Sequence, residues 1–169
     1  RFSTETEKEL EGRSWPNGCH IAEVEIDPET GSVRLVRHGT VDDTGNTINP
    51  LIVEGQLHGG ISQGAGQVLL EHSVYDSEGQ FLTASFMNYA LPRADDFPFF
   101  ESSTYTDSPC LTNSLGAKGV GEIGVVGSIP AIANAILDAL WDHNVRNFDM
   151  PAHPQKIWNL LKNGNNVKN

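Results

Sequence analysis

CHIAEVEIDPETGSVRLVRHGTV, residues 19–41, decides the fold. Ala22, Val24 and Ile26 alternate with Glu23 and Glu25, the period of two that marks a strand buried on one face. Asp27-Pro28-Glu29-Thr30-Gly31 then carries turn chemistry, with proline fixing φ early and glycine accepting positive φ late. A second strand follows through Val33, Leu35 and about Val41. The stretch is an antiparallel hairpin, and its apolar face needs cover from elsewhere in the chain.

Upstream, residues 1–14 are polar, hold Glu5, Glu7, Glu9 and Glu11, and show no sustained periodicity; they read as a linker or a severed connection. Downstream, 42–46 is a turn, and Asn49-Pro50 has the form of a helix N-cap followed by proline at the first helical position. Val53, Leu57, Ile61, Ala65, Val68 and Leu69 then predict a helix near 50–71. That helix contains Gly55, Gly59, Gly60, Gly64 and Gly66, each costing about 1 kcal/mol relative to alanine. Either tight helix packing or a ligand that needs bare backbone must compensate. A second hairpin turn is expected at 75–81, with strand-like segments near 81–88 and 99–107. Ile129, Ile132, Ala133, Ile136, Leu137 and Leu140 form one apolar stripe, so an amphipathic helix is expected near 128–142, capped by Ser128 with Pro130 in its first turn. A short helix after Pro154 and a polar tail at 164–169 complete an α+β domain spanning 15–163.

The chain has 169 residues with 22 acidic and 11 basic groups, a formal charge of −11. Such a surface repels phosphate backbones, which argues against nucleic acid and anionic membrane as partners. No apolar run reaches the roughly 18 residues of a membrane span. Cys19 and Cys110 stand far apart without a CxxC, as expected of free thiols in a reducing compartment such as the cytoplasm. The six histidines form no HxxxH or HxxH pair, so no metal held by protein ligands is expected.

Three features carry chemistry. The first is NSLGAKGVGEIGVVG (113–127), with glycine at 116, 119, 121, 124 and 127. GVGEIG fits the dinucleotide fingerprint GxGxxG, but no hydrophobic strand precedes it and no second strand follows. A glycine-rich loop entering a helix instead suits an anion, and Lys118, the only lysine between Lys8 and Lys156, reinforces that reading. The second is Glu122. A carboxylate among glycines and apolar residues is poorly solvated and readily takes up a proton, which suits a general base; a solvated loop carboxylate is the plainer alternative. The third is amide-rich. Gln56, Gln63 and Gln67, at spacings of seven and four, share one helix face, with Asn49 at its start. Amides donate and accept together, which suits a heteroaromatic or pyranopterin-like ligand, although a hydrated helix face gives the same pattern.

WPNGCHIAEVEIDPETG (15–31), VDDTGNTINPLIVEGQLHGGISQGAGQVLLE (41–71), NYALPRADDFP (88–98) and LGAKGVGEIG (115–124) occur in this order. Together they resemble the C-terminal region of the molybdenum-binding subunit of molybdenum hydroxylases, the family of xanthine dehydrogenase, aldehyde oxidase and the carbon monoxide dehydrogenase large subunit. The resemblance implies a molybdenum ion carried by molybdopterin, often as its cytosine dinucleotide. It implies that Glu122 is the general base toward a molybdenum-bound hydroxide that attacks an aldehyde, an N-heterocycle or carbon monoxide. It also implies cofactor contacts from Asn49, Gln56, Gln63 and the run Ala117, Lys118, Gly119, Val120 and Gly121. The remainder of the molybdenum subunit and 2Fe-2S and FAD subunits or domains are the implied partners. Ser114 stands where the family often has proline and Asn88 where aspartate is common; neither removes a group the chemistry needs. A reading of another class remains beside this one: a folded module that only packs against partner domains or subunits.

Overall fold

The computed structural model describes residues 3–7 and 12–164. Parts of the expected linker (1–2 and 8–11) and of the polar tail (165–169) therefore lie outside the described residues. β1 (Asn17–Ile26) and β2 (Val33–Asp43) form the antiparallel hairpin, and β3 (Glu101–Tyr105) adds to β2 in parallel, giving the order β1-β2-β3. α1 (Pro50–Leu69) and α2 (Ile123–Ala139) pack on each other, and α2 also lies on β1. A 3₁₀ turn (Trp141–His143) and α3 (Pro154–Asn163) follow. The α+β class stands, with a helix pair covering one face of a small sheet.

The hairpin turn closes as its residues require. Asp27 accepts from the Gly31 amide at 2.7 Å through its carbonyl, and Gly31 sits at φ 74° against Pro154 and Trp158 of α3. Between the strands the register slips at Glu23/Val24, because Arg37 pairs with Glu23 but Leu35 pairs with Val24. The bulge leaves Val36 as the extra residue and reverses the inward parity of β2. Leu35 points into the core, but beyond the bulge His38, Thr40 and Asp42 are buried, whereas Val41 is 52% exposed. Uninterrupted alternation would have placed Val41 inside and His38 outside.

α1 begins as its sequence dictates: Asn49 Oδ1 accepts from the Ile52 amide at 3.3 Å, and Pro50 occupies the first turn. Its buried face presents Leu57, Ile61, Ala65 and Val68, and α2 answers with Ile132 and Ile136. Leu35, Leu140, Val145 and Ile157 close this main core, while Val53, Leu57 and Ile123 form a smaller cluster at the start of α1.

Three expectations are corrected. α2 starts at Ile123, five residues before the expected Ser128 cap, and ends at Ala139 rather than near 142. Ser128 is buried inside the helix, its hydroxyl donating to the Val125 carbonyl at 3.3 Å, and Pro130 is a helix-interior residue. Gly124 and Gly127, which on propensity end a helix, lie within it because two neighbours press against them. The second hairpin shrinks to a single bridge between Tyr75 and Phe81 with stacked rings, and 81–88 forms bends and turns, with the Asn88 and Tyr89 amides both donating to Ser85. The 99–107 segment does supply a strand, β3.

The α1–α2 contact tolerates no side chain. A Cβ on Gly124 would meet Leu57 O at 2.6 Å and Gly60 Cα at 2.9 Å, and one on Gly64 would meet Ser128 Oγ at 2.0 Å. Gly124→Ala therefore forces the helix backbones apart and should cost about 1–3 kcal/mol, as overpacking of a close-packed core does. A denaturant midpoint unchanged from wild type would show that the contact is softer than its geometry.

Candidate functional site

The glycine-rich loop is docked on the turn after β2 rather than left free. The Asn46 and Cys110 amides both donate to Gly116 O at 2.9 Å, and Asn46 Nδ2 donates to Leu115 O at 2.8 Å. Asn113 braces the loop from within: its Nδ2 donates to Ala117 O at 3.0 Å and its Oδ1 accepts from the Ala117 amide at 3.3 Å. Ala117 bridges to Gly45, and the Lys118 amide donates to Thr44 O at 3.0 Å. Gly116, at φ 67°, could not carry a Cβ without striking Asn46 at 2.6 Å.

Lys118 completes this docking. Its Nζ donates to Asp43 Oδ2 at 2.5 Å, and both side chains are largely buried. The Lys118 hydrogen bond, helped by the Gly45 amide, holds the Asp43 carboxyl below its ordinary value. The positive charge that the sequence reading assigned to an anion is thus engaged within the chain, and Lys118 fastens the loop to the end of β2.

Past Lys118 the chain turns out toward the start of α1. Val120 packs on the Val53–Leu57–Ile123 cluster, and Gly119 and Gly121 are exposed. A Cβ on Gly121 would find Gln56 Nε2 at 3.8 Å. Gln56 of α1 and the residue preceding Glu122 are therefore neighbours. Glu122 is the N-cap residue of α2, but its side chain makes no capping bond and is exposed. The poor solvation expected of it does not arise within this chain, because the glycines beside it leave it uncovered.

On α1, Gln56, Gln63 and Gln67 are all exposed, as one helix face requires. Asn49 is exposed too, at the helix start, with its Oδ1 used in capping. Gln63 lies two turns beyond Gln56, roughly 10 Å along the axis at 1.5 Å per residue. The structure thus groups Gln56 with Gly121 and Glu122, and sets Asn49 and Gln63 at either end of the same face.

The glycines of this region divide in two. Gly60, Gly64 and Gly124 have neighbouring atoms where a side chain would go. Gly55, Gly59 and Gly119 have nothing within 4 Å of an added Cβ, so no packing within the described residues accounts for them. Two of these interrupt a helix interior, where glycine costs about 1 kcal/mol. By helical spacing Gly59 borders the amide face of Gln56 and Gln63. Sequence reasoning missed Asp43, Asn46 and Asn113, the residues that hold the loop; the only trace was an acid and two amides in turn-like segments. Among the described residues no helix is long and apolar enough to cross a membrane.

A helix pair on a small sheet, with a braced glycine loop beside an amide-bearing helix face, has known relatives. Residues 1–98 match the family model of the molybdopterin cofactor-binding domain, and the chain belongs to that family. It is 37% identical over 155 residues to the gamma subunit of the 6-hydroxypseudooxynicotine dehydrogenase complex of Paenarthrobacter nicotinovorans, covering 92% of this chain and 19% of that protein. It is 37% identical to the carbon monoxide dehydrogenase large chain of Hydrogenophaga pseudoflava, over 90% of this chain and 19% of that one. In structure it resembles quinoline 2-oxidoreductase from Pseudomonas putida 86, with a TM-score of 0.81 and 37% identity over 85% of this chain and 18% of that chain. The chain thus spans about a fifth of the length of these relatives.

The Lys118–Asp43 pair gives a test of the docking. A carboxyl held below the unfolded value of 3.8 contributes stability above that pH, and the contribution is lost as pH falls through the lowered folded value. Lys118→Ala should lower stability near neutrality, with the difference from wild type closing as pH falls below 3.8. Amides 113–121 should also exchange faster in the variant. A pH-independent difference would mean that Lys118 acts through packing alone.

Proposed function

We propose that residues 15–163 form the C-terminal molybdopterin-binding domain of a molybdenum hydroxylase and that Glu122 is its general base. The observation that carries this reading is that Gly55, Gly59 and Gly119 have nothing within 4 Å of an added Cβ, while exposed Gln56 stands beside Gly121, the residue before the exposed Glu122. Bare backbone that no part of the chain fills is what a large planar ligand requires, and the amide face offers donors and acceptors for a pterin edge. The cofactor is taken to be the cytosine dinucleotide form, whose added nucleotide would offer further polar groups to an amide-bearing face. When bound, the cofactor would supply a molybdenum centre able to take two electrons from substrate.

The chain's own residues do the rest. The backbone of Ala117, Lys118, Gly119, Val120 and Gly121 borders the cofactor, and the Asp43–Lys118 pair keeps that backbone in place. Gln56 fixes the pterin orientation, with Asn49 and Gln63 contacting it farther along. Glu122 accepts at a carboxylate oxygen the proton of the water-derived nucleophile that is transferred to an aldehyde, an N-heterocycle or carbon monoxide. Its exposure in this chain leaves it accessible to a substrate whose pocket other parts of the subunit complete. The 2Fe-2S and FAD groups of partner subunits or domains would take up the electrons.

Two measurements on the cofactor-loaded protein test this. Glu122→Gln keeps the shape but cannot accept the proton, so substrate-driven reduction should slow by about 10²–10⁴-fold, or roughly 3–5 kcal/mol of barrier, with molybdenum content unchanged. A rate within tenfold of wild type at full molybdenum loading would sink the base assignment. Gly59→Ala separates ligand clearance from packing: it should stabilise the chain by about 1 kcal/mol while lowering molybdenum per chain. Full occupancy in that variant would return the domain to the alternative of a module that only packs against partners.

A further inference from the structure

Beneath the first turns of α2 lies a buried polar array that the proposed chemistry does not use. His20 on β1 and His38 on β2 approach at 3.1 Å, Nδ1 to Nε2, with rings edge to face. Asp42 Oδ1 is 3.4 Å from His20 Nε2, and Asp42 Oδ2 accepts from Thr40 Oγ1 at 2.5 Å. The His20 and Asp42 side chains are 3% and 2% exposed, and His38 is fully buried. Among the described residues His20 Nε2 and His38 Nδ1 have no hydrogen-bond partner. The bulge in β2 put this array inside, and α2 rests on it: a Cβ on Gly127 would lie 2.2 Å from His20 Cδ2.

Asp42 and Asp43 therefore work in opposite directions from consecutive positions. Asp43 holds Lys118 on the loop before Glu122, while Asp42 stands 3.4 Å from the ring that supports the helix after it. We propose that His20 is a positioning residue for Glu122, with the Asp42–His20–His38 array fixing the imidazole on which the Gly127 turn of α2 rests. The inference rests on the reading of Glu122 as the base, but its geometry does not.

The array's protonation is constrained. One proton lies between His20 Nδ1 and His38 Nε2; two imidazolium rings would set N–H against N–H and break the contact. Burial, and to a lesser extent the His20 ring, push His38 down to about 4 from 6.5, with Asp42 acting in the other direction. Asp42 is the charged group facing the pair from β2, and α2 presents the backbone of Gly127. His58 of α1 stands against the same Phe100 ring as His38, whereas Arg37 and Glu101 pair on the exposed face of the sheet. The unfolded chain takes up the proton first, so the array's contribution is full above pH 6.5 and is lost as pH falls from 6.5 toward 4.

The test uses hydrogen exchange and rapid-mixing kinetics on the cofactor-loaded protein, comparing wild type, His38→Phe and His38→Gln. His38→Phe keeps an aromatic ring but removes the bond to His20; the amide nitrogen of His38→Gln can restore it. In His38→Phe, amides 123–128 should exchange roughly tenfold faster with little change elsewhere, as for local opening. Substrate-driven reduction should slow roughly tenfold at unchanged KM, within the ~10²-fold that a 1 Å misplacement can cost. His38→Gln should return both to within about twofold of wild type on the same argument. Normalised to the intrinsic amide rate, wild-type exchange at 123–128 should rise between pH 6.5 and 4, and by more than that of His38→Phe. Unchanged exchange at 123–128, exchange raised equally along the whole chain, or a glutamine variant as slow as the phenylalanine one overturns the proposal. The exchange result is independent of Glu122: if Glu122→Gln reacted normally, the base assignment would fall and the support of α2 would still be decided by exchange.

Discussion

The backbone contact between Gly60 of α1 and Gly124 of α2 is the constraint on which the rest depends. With no Cβ on either side, the helices meet at van der Waals distance, and Gly64 receives Ser128 one turn farther along. Hydrophobic packing of Ile61, Ala65, Ile132 and Ile136 gives this pair its stability, but glycine sets how close it comes. The spacing places the start of α2 beside the first turns of α1. Gly121, the residue before Glu122, and Gln56 are neighbours for that reason, although 65 positions separate them in sequence. A wider helix pair would retain a core and lose the juxtaposition.

The same residue type serves two opposed purposes along one helix. At Gly60 and Gly64 the missing side chain is replaced by protein; at Gly55 and Gly59 it is replaced by nothing among the described residues. Composition cannot separate these uses, because both read as helix-weakening glycine. Only the position of α2 does so. This is why the sequence left packing and ligand clearance both open, whereas the structure accounts for Gly60 and Gly64 by packing and leaves Gly55 and Gly59 without it.

Much of the fold was legible because local signals agreed with tertiary need. The alternation in β1, the Asp27–Gly31 turn, the Asn49-Pro50 cap and the stripe in α2 each followed from short-range chemistry. Failures fell where a distant partner overrode propensity. Gly124 and Gly127 lie inside a helix because Gly60 and His20 press against them, so α2 began earlier than Ser128 suggested. The single-residue bulge at Val36 turned His38 and Asp42 inward, which no count of alternating residues could reveal. At the site, Glu122, Gln56 and the loop were visible as motifs. Their supports were not: Asp43 and Asn46 act through bonds to residues 75 and 69 positions away, which local sequence does not encode, and Asn113 through a bond to Ala117 that only the folded loop reveals.

The strand order has a practical consequence. β1 and β3 each have one side without a strand partner among the described residues, so the sheet has two open edges. Ten residues of β1 lie along one of them, including the exposed Cys19 and Ile21. Open edges of that length are templates for intermolecular pairing, and charged side chains are the usual safeguard. Glu23 and Glu25 on β1, with Arg34 and Arg37 across from them on β2, provide it here. Neutralising those four side chains would favour self-association of the separated domain while leaving its core intact.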